Sequence, residues 1–505
     1  MRGTEFVYGL LIGLMLLTAD RACAAEAVTL KAGAAKVDIA DPNAGPPNDP
    51  LSARVLVLSD GRTHIALVAV DAVAIGEIGP IRNEYLGKVR QAVSESLPIR
   101  GEQIIVNASH CHGLVCADVA ERTVAAIKEA WSKLTPVRIA AGKGSETRIM
   151  ENRRLKLKSG READIRHAYA IPADEEIASL GPVDPEIGLL RVDRLDGTTL
   201  AVLYQFACHP IQGAASGKNT ADFTGISSRV IEENLSEGAV ALFFQGCGGD
   251  INPVTYKNTH EPRDCEPLGN QLALSTLKAV RTLKPAEAAS LAFTSEVIEI
   301  PRADLAEPIA NLEAERDALV DRLGGTTLNL KTFLPLVAKY RLDTKFPSAY
   351  AHEYLRELRD EKNDLTRMDA LNRQAIEAYI ANILVMEEIS RVRTNLALLK
   401  RHHARNVAAG SRTIPVEVSA LRVGDFRLVT FPGELVVQIG LNIKAAAKQP
   451  LTFVSGYTNG YIYYCPTAEQ LKNRGHAQED SDCLLAPEWQ EQFENKAAEL
   501  LSRVK

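Results

Sequence analysis

The sequence contains no C-x-x-C, so neither a zinc ribbon nor a thioredoxin-type redox site has the ligands it would need. No G-x-S-x-G occurs, which excludes the serine nucleophile elbow. Gln245-Gly246-Cys247-Gly248-Gly249-Asp250 is glycine-rich but fits neither the P-loop nor the dinucleotide G-x-G-x-x-G. His352-Glu353 opens like H-E-x-x-H, yet Arg356 stands where the second histidine belongs. Positive charge is not in excess either. With 58 Lys+Arg against 64 Asp+Glu the net charge is -6, and the basic footprint of a nucleic-acid binder is missing. Beyond the N-terminus no apolar run approaches the about 20 residues of a membrane-spanning helix. What is present is a globular composition, 46% hydrophobic and 24% charged, over 505 residues. That length allows several domains, or one large domain carrying an insertion.

The N-terminus reads as an export signal. Arg2 precedes an apolar run at residues 6–17 that is too short to span a bilayer, and Ala22-Cys23-Ala24 gives the small-x-small pattern of a cleavage site. Residues 1–25 are therefore expected to be a signal peptide, and the mature chain secreted or periplasmic, with no transmembrane anchor after cleavage. Acylation of Cys23 is the rival reading, and the charged Asp20 and Arg21 before it argue against that. Of 8 cysteines, those after Cys23 are odd in number, so an exported chain keeps at least one free thiol. Cys465 could pair with Cys483, and Cys247 with Cys265.

Along the chain, strand and helix patterns alternate up to about residue 300. Residues 53–58 and 63–70 are β-branched runs flanking Asp60-Gly61, a hairpin signal. Residues 104–107, 200–208 and 239–245 read as buried strands, with helices at 118–134 and 225–234. The pattern predicts an α/β fold, a mixed β-sheet core covered by helices. Residues 303–405 differ: they are charge-rich, and Leu371, Ile376, Tyr379, Ile380 and Ile383 recur at helical spacing, so a helical insertion is expected there. Strand-like runs return at 414–423, 426–430 and 451–454. The expected organisation is a catalytic domain of residues 26–302 and 406–505, interrupted by the helical 303–405.

Several polar residues directly follow predicted strands. They are His110 and His112 in Ser109-His110-Cys111-His112-Gly113, His209 in Cys208-His209-Pro210, Asp250 after the glycine turn, Glu434 in Pro432-Gly433-Glu434, and tyrosines within 456–464. In α/β sheets the ligand crevice lies beyond the carboxyl ends of strands, so five such ends could converge on one pocket. Neutral imidazole is the commonest metal ligand. His110 and His112, two residues apart, would share one face of an extended segment. The plainer alternative is a set of structural histidines that hydrogen-bond near surface loops.

In order along the chain, these segments resemble the N-terminal catalytic domain of the neutral (non-lysosomal) ceramidases, which are zinc-dependent amidases. Ser109-His110-Cys111-His112-Gly113 is similar to that family's T-H-T-H-S-G, and Asn152-Arg153 to its N-R-S. Val183-Asp184-Pro185-Glu186 is similar to its V-D-P-E, and Phe206-Ala207-Cys208-His209-Pro210 to F-A-x-H-P. Gly249-Asp250-Ile251-Asn252-Pro253 resembles G-D-x-S-P, and Asn459-Gly460-Tyr461-Ile462-Tyr463-Tyr464 resembles N-x-Y-x-x-Y. The resemblance implies a Zn2+ held by His110, His209, Glu434 and Tyr464, with Tyr461 the alternative tyrosine. It implies His112 as the catalytic group that polarises the substrate carbonyl, Arg153 as a substrate contact, and a small-molecule or lipid amide as substrate. Asn252 departs from the family's serine, and His476 falls where a further tyrosine would stand. The implied activity is hydrolysis of an N-acyl bond. A related amidase or esterase acting on a non-ceramide substrate, or an exported metal-binding protein without activity, are the alternatives.

Overall fold

The computed structural model describes residues 29–44, 49–165, 172–213, 219–254, 256, 260, 262–287 and 291–505. The expected signal peptide, with Cys23, lies outside the described residues. The fold is α/β, built on a mixed eight-stranded sheet and a four-stranded one. The larger sheet has two halves. In the first, Lys31–Asp38, Ser52–Ser59 and His64–Val70 run antiparallel, and Ile104–Ala108 adds parallel to the last. The hairpin around Asp60-Gly61 closes with Ser59 opposite His64. In the second half, Thr135–Ser145, Glu186–Arg194 and Thr199–Phe206 are antiparallel, and Val240–Gln245 adds parallel. Thr135–Ser145 joins the halves, because its first residues pair with Lys31 and Ala32 while the rest pair with Glu186–Arg194.

Strand alternation sets the layers. Val55, Val57, Val68 and Val70 face the helices Tyr85–Ser94 and Val119–Ser132, where they meet Val89, Val93 and Ile127. Leu56, Leu58, Leu67, Leu190, Leu203 and Leu242 point to the opposite side, into a core closed by Leu421, Phe426 and Phe453 of the four-stranded sheet. Each such side chain, fully buried, stabilises the fold by about 1.5–3 kcal/mol. In the second half Leu189, Val202 and Phe243 face the helices Asp222–Glu233 and Glu266–Val280. The four-stranded sheet runs Leu291–Pro301, Thr413–Val423, Phe426–Thr430, Thr452–Ser455, and Trp489 and Phe493 of the helix Trp489–Arg503 pack on Val416, Val418 and Val429.

Helices Ala306–Asp321, Leu330–Leu342, Ala351–Arg359 and Asp364–Ala408 fall between two antiparallel neighbours of that sheet, entering and leaving where Pro301 pairs with Thr413. The last helix has 45 residues. Leu312, Leu319, Val385, Val392 and Leu399 form the core between it and the first. No described helix is long and apolar enough to cross a membrane.

The described cysteines correct one expectation. All seven are buried free thiols, so neither Cys465–Cys483 nor Cys247–Cys265 is a disulfide. Each thiol has its own surroundings. Cys465 Sγ faces the Tyr463 carbonyl and Cys483 Sγ that of Leu485, while Cys247 lies against Gly440 and Cys265 against Gly213.

Candidate metal centre

Three loops at strand ends build the site. His110 follows Ile104–Ala108, and its backbone N–H donates to the Ala72 carbonyl at 2.9 Å. It adopts φ 71°, a left-handed conformation that costs a non-glycine residue of order 1 kcal/mol. The segment is therefore not extended: His110 turns into the protein, 3% exposed, while His112 stays solvent-accessible on the cavity wall. His209 follows Thr199–Phe206, and its N–H donates to the Ile251 carbonyl. Glu434 follows Phe426–Thr430 and lies opposite Tyr464 in a short parallel ladder.

The loop carrying the tyrosines is stapled to the His110 strand. Val106 N–H donates to Asn459 Oδ1 at 2.8 Å, Asn107 Nδ2 donates to the Gly456 carbonyl at 2.8 Å, and Ala108 N–H donates to the Tyr457 carbonyl at 3.1 Å. Tyr457, Asn459 and Tyr463 also have positive φ, so strained backbone concentrates around this pocket. Gly249 lets the glycine turn approach closely: a Cβ there would lie 2.6 Å from the Glu434 carbonyl oxygen.

The side chains converge. Ligand atoms of His110, His209 and Glu434, all buried, lie within 4.8 Å of one another. His209 Nε2 is 3.0 Å and His110 Nε2 3.5 Å from Glu434 Oε2. Both imidazoles have Nδ1 against backbone carbonyls, that of His110 at 2.6 Å from Val73 O and that of His209 at 2.6 Å from Gly248 O. A proton on each Nδ1 leaves both Nε2 lone pairs directed at the shared point, the arrangement by which outer hydrogen bonds orient metal-binding histidines. Burial pushes the His110 imidazole down to about 4, only partly countered by Glu434, so it is neutral near pH 7. Burial would raise the Glu434 carboxyl, but His110 and His209 outweigh it and hold the group well below the usual carboxylate range.

Three tyrosines reach this point, two of them on Glu434 and the third on His209. The Tyr461 hydroxyl donates to Glu434 Oε1, and that of Tyr457 to Oε2 at 3.2 Å. Burial and then the Glu434 charge push both phenols well above their ordinary range, so each remains a donor. The Tyr464 hydroxyl is instead 3.4 Å from His209 Nε2, on the side where a bound ion would be reached. Arg153 is 1% exposed, and its Cζ is 5.4 Å from the centre of the Tyr464 ring. It donates to Glu479 Oε1 at 2.6 Å, to the Gly249 carbonyl at 2.8 Å and to Asn252 Oδ1 at 3.2 Å. Asn252 thus sits behind Arg153. His476 is held elsewhere, 3.8 Å from Glu315.

The residue set, two imidazoles, a carboxylate and a phenol, suits zinc, which takes nitrogen and oxygen donors in fourfold coordination. The cavity in front, about 320 Å³, is also lined by His112, Arg263, Arg401, Tyr256 and Asp482. In the sequence Tyr457 is only one of the tyrosines within 456–464, and nothing there marks Glu479, Arg401 or Asp482. Glu479, Asp480 and Asp482 look like a solvated acidic run, yet all three are buried.

No family profile and no curated protein matches the sequence. Solved structures do. A crystal structure of neutral ceramidase from Pseudomonas aeruginosa superposes with a TM-score of 0.58 at 16% identity, covering 94% of this chain and 75% of that one. The chain has the neutral ceramidase fold. A second structure, of ceramidase complexed with C2, gives 0.57 at 15% identity with the same coverage.

Proposed function

We propose that this chain is a zinc-dependent amidohydrolase that cleaves an N-acyl bond. One observation carries the reading: His110, His209 and Glu434 meet at one buried point, with both imidazole Nδ1 atoms tied to carbonyls. His110, His209, Glu434 and Tyr464 would hold the ion. When bound, zinc supplies a Lewis acid and lowers the pKa of a bound water towards ~7.

The chain's own groups do the rest. Tyr461 and Tyr457 fix the Glu434 carboxylate through both oxygens, so it does not rotate away from the ligand point. His112, beside His110 at a ring-centroid distance of 5.6 Å and open to the cavity, would hydrogen-bond the carbonyl oxygen of the amide or give the leaving amine its proton. Such a role contributes about 10²–10⁴-fold in rate. Arg153 holds a fixed positive charge beside Tyr464 and lines the wall that an acyl substrate would touch. In the reaction the C–N bond breaks, the acyl carbon gains the oxygen of water, and the amine leaves with a proton. The ceramidase fold makes a lipid amide the first substrate class to try, and an N-terminal segment that reads as an export signal supports a reaction outside the cytoplasm.

The test is chelation and add-back on the full chain. Removal of metal should abolish hydrolysis of an N-acyl panel that includes N-acylsphingosine, and stoichiometric zinc should restore it. Hydrolysis that persists after the metal has been removed would overturn the reading.

A further inference from the structure

The cavity in front of the ligand group carries more positive charge than a neutral lipid amide needs. Arg153, Arg263 and Arg401 all line it, against the carboxylates of Glu434 and Asp482, and Glu479 pairs Arg153 from outside the lining. Glu434 belongs to the ligand group, and a divalent ion there would add two further positive charges. Asp482 is already shared, since Oδ1 accepts from Arg401 Nη2 at 2.6 Å and also contacts His402 Nε2.

Two of the guanidiniums are incompletely used. Arg401 comes from the long helix Asp364–Ala408, and its side chain is 47% exposed. Among the described residues its Nε and Nη1 make no hydrogen bond. Its Cζ is 5.5 Å from the Tyr463 ring centre, Tyr463 packs 5.1 Å from Tyr461, and the Tyr461 hydroxyl reaches Glu434. Arg401 therefore stands two rings away from the ligand group. Arg263 lies over the Tyr256 ring at 4.5 Å, and no carboxylate among the described residues pairs with it. A guanidinium presents a planar fork of donors that matches carboxylate and phosphate oxygens. Among the described residues the aliphatic lining of the same cavity is limited to Ile78 and Ile211, little surface for two long hydrocarbon chains.

Resting on the amidohydrolase reading above, we propose that the substrate is an anionic amide, with a carboxylate or phosphate that Arg401 and Arg263 bind at the cavity mouth while the amide reaches the ligand group. An N-acyl amino acid is the simplest member of this class. The positive field would also speed capture of such a substrate at low ionic strength.

The zinc-loaded full chain is assayed on amides of one acyl length: N-acylglycine, N-acylphosphoethanolamine and the neutral N-acylethanolamine. The expected result is a kcat/KM at least about 10-fold higher for one or both anionic amides, the size of one charge-assisted hydrogen bond. Which of the two leads separates carboxylate from phosphate. In Arg401→Gln and Arg263→Gln the anionic-to-neutral ratio should fall towards one, mainly through KM. Equal or faster turnover of the neutral amide, or variants that leave the ratio unchanged, would overturn the proposal. Calorimetric binding of N-acylglycine against N-acylethanolamine is measured alongside. If no amide is cleaved, the amidohydrolase reading fails, and binding then decides the anion site on its own: preference for N-acylglycine that is lost in Arg401→Gln supports it, and equal binding overturns it.

Discussion

Tyr464 and Glu434 are register partners in a two-residue parallel ladder, and that pairing sends the Tyr464 hydroxyl to 3.4 Å from His209 Nε2. Tyr461, three residues earlier, donates to Glu434 Oε1 instead. The two phenols thus stand in different relations to the ligand point, one able to reach an ion and the other restraining a carboxylate.

Tyr464→Phe should accordingly weaken zinc binding directly, by about 10-fold or more. Tyr461→Phe should act through Glu434, an effect of about 10–100-fold when an outer hydrogen bond is lost. Competition against a chromogenic chelator reads both affinities. An unchanged affinity in Tyr464→Phe would remove it from the ligand set.

Glu479 is fully buried between Arg153 and Arg154, and accepts from them at 2.6 Å and 3.0 Å. Glu479→Gln leaves two buried guanidiniums short of negative charge and should cost about 3–5 kcal/mol. Denaturant unfolding of the metal-free chain measures it. A loss below about 1 kcal/mol would show that the two guanidiniums do not depend on the Glu479 charge.

Acid should destabilise the metal-free protein through the His110, His209 and Glu434 group. The folded His110 imidazole is depressed to about 4, below its ordinary 6.5. Between those values the unfolded chain binds more protons, so stability is full above about pH 6.5 and falls as pH drops towards 4. Glu434, also depressed, adds a loss at more acid pH as its carboxyl is forced to protonate. Unfolding free energies at pH 7, 5.5 and 4.5 should therefore decline, and more steeply in the native chain than in His110→Gln. Parallel slopes would contradict the assignment.

Sequencing of the exported protein should begin at Ala25 or Glu26, after a cut near Ala22-Cys23-Ala24. Recovery of residues 1–24 on the mature chain, or of lipid on Cys23, would contradict it.

Much of the frame was legible because its strands bury both faces. Residues 53–58, 63–70, 104–107 and 239–245 are short apolar runs with turn residues at their ends, and they are strands in the structure. Thr135–Ser145 was not legible. It carries a proline, two glycines and the polar or charged Thr135, Arg138, Lys143 and Ser145, and only its pairing to both halves of the sheet makes it a strand. At the site, histidines and a glutamate after strands marked themselves by position. Glu479 and Asp482 did not, because an acidic run reads as solvated until arginines and a histidine from distant segments are seen to bury it. The conformation of His110 was equally hidden, since only its contacts with Ala72 and Val73 impose a positive φ on a histidine.

Zinc content and amide turnover, measured together on the native chain, His209→Ala and His112→Ala, test the central claim most directly. The native chain should carry about one zinc. His209→Ala should lose both metal and activity. His112→Ala should keep the metal near its native level while turnover falls by about 10²-fold or more. Full zinc retention in His209→Ala, or equal zinc loss in both variants, would contradict it.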